Sequence, residues 1–209
     1  REREREREKM EKTKRIEKRK YRWDDTLTEY TVEEGVEEIG GYAFYECVNL
    51  KKVTIPRGVH GIGRDAFSWT GLTEVTLKEG VEEIGNCALS CCSSLERVVL
   101  VKGIRKFGYW AFDNNKKLTE LEIHEGVEEI GEGIVQDTSL QTITLPLHPI
   151  PRIHDRAFQG SYKGPPLPSL RTLRLRGTYH AAPLSIPFPR ITEEDKGRLV
   201  RFVKDQQKK

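Results

Sequence analysis

Apolar residues recur along this chain in a fixed order. Leu50, Val53 and Ile55 form a short alternation, Val59 and Ile62 follow as a pair three residues apart, and a glycine then leads to Ala66-Phe67. The same order returns at Leu72, Val75, Leu77, Val81 and Ile84, and again at Leu118, Leu121, Ile123, Val127 and Ile130. Alternation with period two predicts a short strand with one buried face, and the spaced pair predicts a second strand. The glycine predicts a sharp turn into a short helix that carries Ala43-Phe44, Ala66-Phe67 and Ala111-Phe112 inward.

Aligning the units places leucine at 27, 50, 72, 95, 118, 140 and 170, so the period is 22 or 23 residues until a final step of 30. A sustained period of this size marks a solenoid. One unit cannot bury its own apolar face, so the units must stack. The expected fold is an α/β repeat solenoid of about six to seven rungs, each with short parallel strands and a short helix.

Stretches such as "LKKVTIPRGVHGIGRDAF" resemble the treponemal (BspA-like) class of leucine-rich repeat, over roughly residues 27–169. The pattern departs from the commoner leucine-rich repeat, which sets an Asn or Cys ladder after the strand. Within the class, Leu89 stands for Phe, Ile134-Val135 for Ala-Phe, and His154 for the turn glycine. The resemblance implies a binding module. It assigns no ligand residues, because the repeated letters encode the fold.

Three regions follow: a charged low-complexity segment at 1–23, the solenoid at 24–177, and a C-terminal cap segment and helix at 178–209. The strand "LRTLRL" from Leu170 is the last recognisable rung, and Leu184, Ile186 and Phe188 are apolar enough to lie across its edge. A helix starting near Glu193, with Thr192 and Asp195 as a variant capping box, would pack Leu199, Val200, Phe202 and Val203 on the end of the stack.

Charge changes the picture only locally. Residues 1–22 hold twelve Lys/Arg against six Glu, which leaves the other 187 residues at −3 of an overall +3. The folded part is mildly acidic, so nucleic acid is disfavoured except through the basic N-terminal tail around Lys18-Arg19-Lys20. No apolar run approaches the roughly 18 residues of a membrane helix. The chain opens on Arg1 and not Met, so the absence of a signal-peptide pattern carries little weight.

If the constant letters are core, function belongs to the variable ones. The outward third strand position reads Glu29, Lys52, Glu74, Arg97, Glu120, Thr142 down the rungs, and Glu82-Glu83, Arg105-Lys106, Glu128-Glu129 alternate in the second strand. These columns read first as register-holding pairs and second as a mixed-charge protein-binding face. That candidate face comprises Glu29, Lys52, Thr54, Glu74, Thr76, Arg97, Glu120, Glu122, Thr142, Thr144 and Arg174.

Catalytic signals are wanting. Cys47 and Cys92 share a repeat position two rungs apart, too far for a disulfide, Cys91-Cys92 is vicinal, and no CxxC pair occurs, so Cys87 and its fellows read as helix-packing thiols in a reducing, cytoplasmic setting. His148, His154 and Asp155 fit no metal spacing, and no cofactor is expected. "QGSYKGPPLPS" reads as a stiff surface loop, with recognition by proline-binding domains as the alternative. The sequence thus points to a monomeric, non-enzymatic protein-interaction module with an unnamed protein ligand. The alternative is a structural spacer of a larger protein.

Overall fold

The computed structural model describes residues 14–146, 151–154, 156–158, 169, 172–176 and 184–187. Fifteen short strands, β1–β15 in chain order, wind into a stack. One parallel sheet has seven two-residue strands: β1 (Arg15–Ile16), β3 (Glu38–Ile39), β5 (Gly61–Ile62), β7 (Glu83–Ile84), β9 (Lys106–Phe107), β11 (Glu129–Ile130) and β13 (Arg152–Ile153). A second has β2 (Glu29–Thr31), β4 (Lys52–Thr54), β6 (Glu74–Thr76) and β8 (Arg97–Val99). A third holds β10 (Glu120–Glu122), β12 (Thr142–Pro146) and β14 (Thr172–Arg176), with β15 (Leu184–Pro187) pairing antiparallel on its edge.

The expected α/β character fails at one point: among the described residues no rung carries a helix. Residues 41–46, 64–69, 86–91 and 109–114 are instead runs of consecutive turns. Ala43 N–H donates to Gly40 O and Cys47 N–H to Phe44 O, with left-handed Tyr42 and Glu46 as the third residue of each turn, as type II turns require. The alternate amides leave the rung. Tyr42, Phe44 and Glu46 donate to the carbonyls of Arg64, Ala66 and Ser68 at 2.8–2.9 Å. A helix would keep these donors to itself and measure about 10–12 Å across, whereas stacked strands repeat every ~4.8 Å. Turn runs match the strand spacing, so the turn side of a rung pairs with the next as the strands do.

The core is one continuous column system. The inward Ala-Phe pairs behave as the sequence predicts, with Ala43, Phe44, Ala66, Phe67, Ala111 and Phe112 fully buried. Phe44 and Phe67 stack at 5.1 Å between centroids, and Tyr21 extends the stack onto Phe44 at the same distance. The glycine that ends each second strand has a different job from the one expected. A Cβ on Gly63 would lie 2.5 Å from Gly41 N, and one on Gly108 2.5 Å from Asn86 N, so these glycines permit rung-to-rung approach. Left-handed φ falls on the earlier glycines, such as Gly80 at 118° and Gly103 at 109°.

The N-terminal boundary also moves. Residues 14–23 add a second strand and a turn run to the stack: β1 pairs with β3, Ile16 is buried, and Arg19, Tyr21 and Trp23 donate to Gly41, Ala43 and Tyr45 carbonyls. The solenoid therefore includes residues 14–23, which the boundary at 24 left out. The remainder of the charged segment, the proline-rich insertion apart from Ser169, and the C-terminal helix expected after Ile191 lie outside the described residues. No described helix is long and apolar enough to cross a membrane.

Candidate functional site

Strand register delivers the outward column as the repeat predicts. Glu29 pairs with Lys52, Lys52 with Glu74, Glu74 with Arg97, and Glu120 with Thr142 as neighbouring Cα positions. Thr142 and Thr144 are in turn opposite Thr172 and Arg174. Adjacent positions do not make close pairs throughout. Arg97 Nη1 lies 3.8 Å from Glu74 Oε1, while Glu29, Lys52 and Glu120 are exposed and hold no ion pair among the described residues. Lys51, Lys52, Thr54, Thr73, Glu74 and Lys78 line a shallow depression of about 490 Å³ on this face.

The column is interrupted in two ways. Between β8 and β10 the strands are not hydrogen-bonded, and His124 Nε2 lies 3.0 Å from the Leu100 carbonyl at that break. Exposure also declines toward the C-terminal end. Thr76 is exposed and Glu122 half-buried, but Thr144 is buried at 6% and leaves the accessible face. Of Arg174, the strand register alone is described.

The second-strand charges pair more closely. Arg105 donates to Glu128 Oε1 from Nε at 2.9 Å and from Nη2 at 2.6 Å, and Arg152 sits 3.6 Å from Glu129. Other pairs also bridge neighbouring rungs, as in Lys117–Glu96 at 2.9 Å and Lys14–Glu33 at 2.7 Å. These contacts are exposed and screened by solvent, so each contributes little to stability.

A buried polar column escapes sequence reasoning. Cys47, Thr70, Cys92, Asn115 and Thr138 each follow a turn run. Their side chains cap carbonyls there: Thr70 donates to Phe67 O at 2.9 Å, and Asn115 to Leu89 O and Phe112 O at 2.9 and 2.8 Å. Cys92 reaches Phe67 O, and Cys47 reaches Tyr21 O. This ladder does for the turn side what the Asn or Cys ladder does elsewhere, and its mixed composition hides it from a repeat search. Cys47 and Cys92 therefore satisfy backbone, and none of the four cysteines packs a helix. Burial pushes the thiols of Cys47, Cys87 and Cys92 up to about 11, so they stay protonated and unreactive near neutral pH. No group of three or more potential metal ligands gathers among the described residues.

A stack of parallel two- and three-residue strands, bearing one leucine per turn and closed by turn runs, defines a leucine-rich-repeat solenoid. The sequence matches the BspA type leucine rich repeat region in six copies, across residues 14–114 and 37–163. The chain belongs to that family. No curated protein matches it. Among solved structures, the leucine rich repeat protein TpLRR of T. pallidum is 20% identical, with a TM-score of 0.51, covering 77% of this chain and 62% of that one. A leucine-rich repeat protein from Eubacterium ventriosum is 23% identical at a TM-score of 0.48, covering 75% of this chain and 34% of that one. The pneumococcal vaccine antigen PcpA is 15% identical at 0.37, with 71% and 62% covered. The chain thus spans about a third of the E. ventriosum protein and about three fifths of TpLRR.

Proposed function

We propose that this solenoid is a protein-interaction module and that its ligand lies along the face of β2, β4, β6, β8 and β10. The observation that carries this reading is the row Glu29, Lys52, Glu74, Arg97 and Glu120, exposed on successive rungs with one close ion pair in it. Charges that spend little of their field on each other are available to a partner of complementary pattern. Thr54 and Thr76 add hydroxyls beside them, and the depression between β4 and β6 gives the row a concave centre. Alternation of sign favours a protein over a polyphosphate, whose binding draws on one sign of field.

The test is differential capture. Full-length protein and a Lys52→Glu/Arg97→Glu variant are immobilised and incubated with extract from the source cells. Proteins retained by the parent and lost from the variant, at equal melting temperature, support the reading. Identical retained sets overturn it and leave the spacer role.

A further inference from the structure

All three tryptophans of the chain sit on the solvent side of the turn runs, and all three have left-handed backbone: Trp23 at φ 65°, Trp69 at 61° and Trp110 at 55°. The equivalent positions on other rungs hold Arg19, Tyr42, Asp65, Cys87 and Gly133 at the first left-handed site of the turn run and Glu46, Cys91, Asn114 and Asp137 at the second, so the conformation belongs to the turn and recurs whatever the residue. A bulky ring there gains little burial, since Trp23 and Trp69 are 59% and 51% exposed. Neither the core nor the stacking needs them. What sets Trp23 and Trp69 apart is a large apolar side chain left in solvent beside other aromatic rings, which marks a surface whose use is external.

The surroundings state the chemistry. The Arg22 guanidinium lies 3.8 Å from the centroid of Trp23, 5.3 Å from Tyr45 and 6.0 Å from Tyr42, so it stands among three rings. Arg19 also lies over Tyr42, at 5.6 Å. Arg22 Nε is buried without a hydrogen-bond partner, and no described carboxylate lies within 4 Å of Lys18, Arg19, Lys20 or Arg22. Stacked guanidinium groups keep their in-plane N–H donors for a carboxylate. Trp, Tyr and Arg together are also the composition that concentrates binding energy at interfaces.

We infer that the ridge formed by Arg19, Arg22, Trp23, Tyr42, Tyr45 and Trp69 docks an acidic, extended segment of a protein partner. Trp23 and Trp69 occupy the same turn position two rungs apart, roughly 10 Å at the strand repeat. A polyproline-type segment repeats its face every three residues, about 9.3 Å, so apolar residues at i and i+3 cover both indoles. The segment's carboxylates meet the guanidinium groups of Arg19 and Arg22 at the Trp23 end, clear of Glu46. Glu46, midway between the two tryptophans, and Asp65 beside Arg64 interrupt any continuous cation track, which sets the ridge against a phosphate chain. The inference rests on the interaction-module reading but uses a different surface from the β-strand face.

A fluorescein-labelled (Pro-Glu-Glu)4 peptide is the probe, measured by fluorescence anisotropy against full-length protein. (Pro-Lys-Lys)4 and a twelve-base oligothymidine serve as comparisons. Saturable binding of the acidic peptide is expected, weakened about tenfold or more by Trp23→Ala and, separately, by Trp69→Ala. Both side chains are exposed, so melting temperatures should hold. Lys52→Glu, on the strand face, should leave this binding unchanged, which separates its failure from failure of the capture experiment. Absence of peptide binding, indifference to both tryptophan substitutions, or tighter binding of the oligothymidine would overturn the inference.

Discussion

Asp113 is a carboxylate in the wrong surroundings. Its Oδ1 is buried without a hydrogen-bond partner, and burial, aided by repulsion from Asp137, pushes its pKa up to about 6. A folded pKa above the unfolded value near 3.8 means that its contribution is fully present below about pH 4 and is lost as pH rises through about 6. Asp113→Asn should therefore raise the melting temperature at pH 7–8 and change nothing at pH 4. After discounting for partial exposure the gain is on the order of 1 kcal/mol. Gly63 makes the opposite case. Gly63→Ala drives a Cβ to within 2.5 Å of Gly41 N, against backbone that cannot turn aside. It should cost about 1–3 kcal/mol, read as a drop of several degrees in thermal melts. The recurrence of this glycine is plain in the sequence, but its reason is not, because the atom that forbids a side chain belongs to the preceding rung.

At the scale of elements, strands were legible and turn runs were not. Period-two alternation marks β4, β6 and β10 from their own residues, whereas the residues of a turn run look like one helical turn. What separates the two is where the amides of Tyr42, Phe44 and Glu46 donate, and that is settled by the neighbouring rung. The mixed polar column from Cys47 to Thr138 was hidden for the same reason, since its partners are carbonyls and not letters of a motif. The charge columns separate by geometry. Arg105→Glu breaks a double hydrogen bond to Glu128, and should lower the melting temperature by roughly 1–4 °C at low salt, less at high salt. Lys52→Glu, whose side chain holds no described ion pair, should move it less. Equal shifts would show that the outward row is held together as tightly as the second-strand one.

The whole molecule is quasi-one-dimensional, so damage should spread along the stack and not through it. Phe67→Ala removes a ring stacked on Phe44 and should cost about 3–5 kcal/mol. Hydrogen exchange should then rise first in the rungs N-terminal to residue 67, which have few neighbours left, and a uniform rise would contradict this. The rung count was nearly legible, and the strand and turn run at 14–23 were missed because Ile16 and Tyr21 are two useful residues inside a run of charge. The outward strand row was legible as a column of variable letters, but the declining exposure toward Thr144 was not. The central claim is that a protein ligand lies along that face, and cross-linking mass spectrometry tests it most directly. Lysines mark every side: Lys52 and Lys78 the strand face, Lys106 the long sheet, Lys18 and Lys20 the turn ridge. With a protein retained in the capture experiment, the account predicts cross-links from Lys52 and Lys78 in the parent, and loss of those from Lys78 in the Lys52→Glu/Arg97→Glu variant. Cross-links confined to Lys106, with none on the strand face, would contradict it.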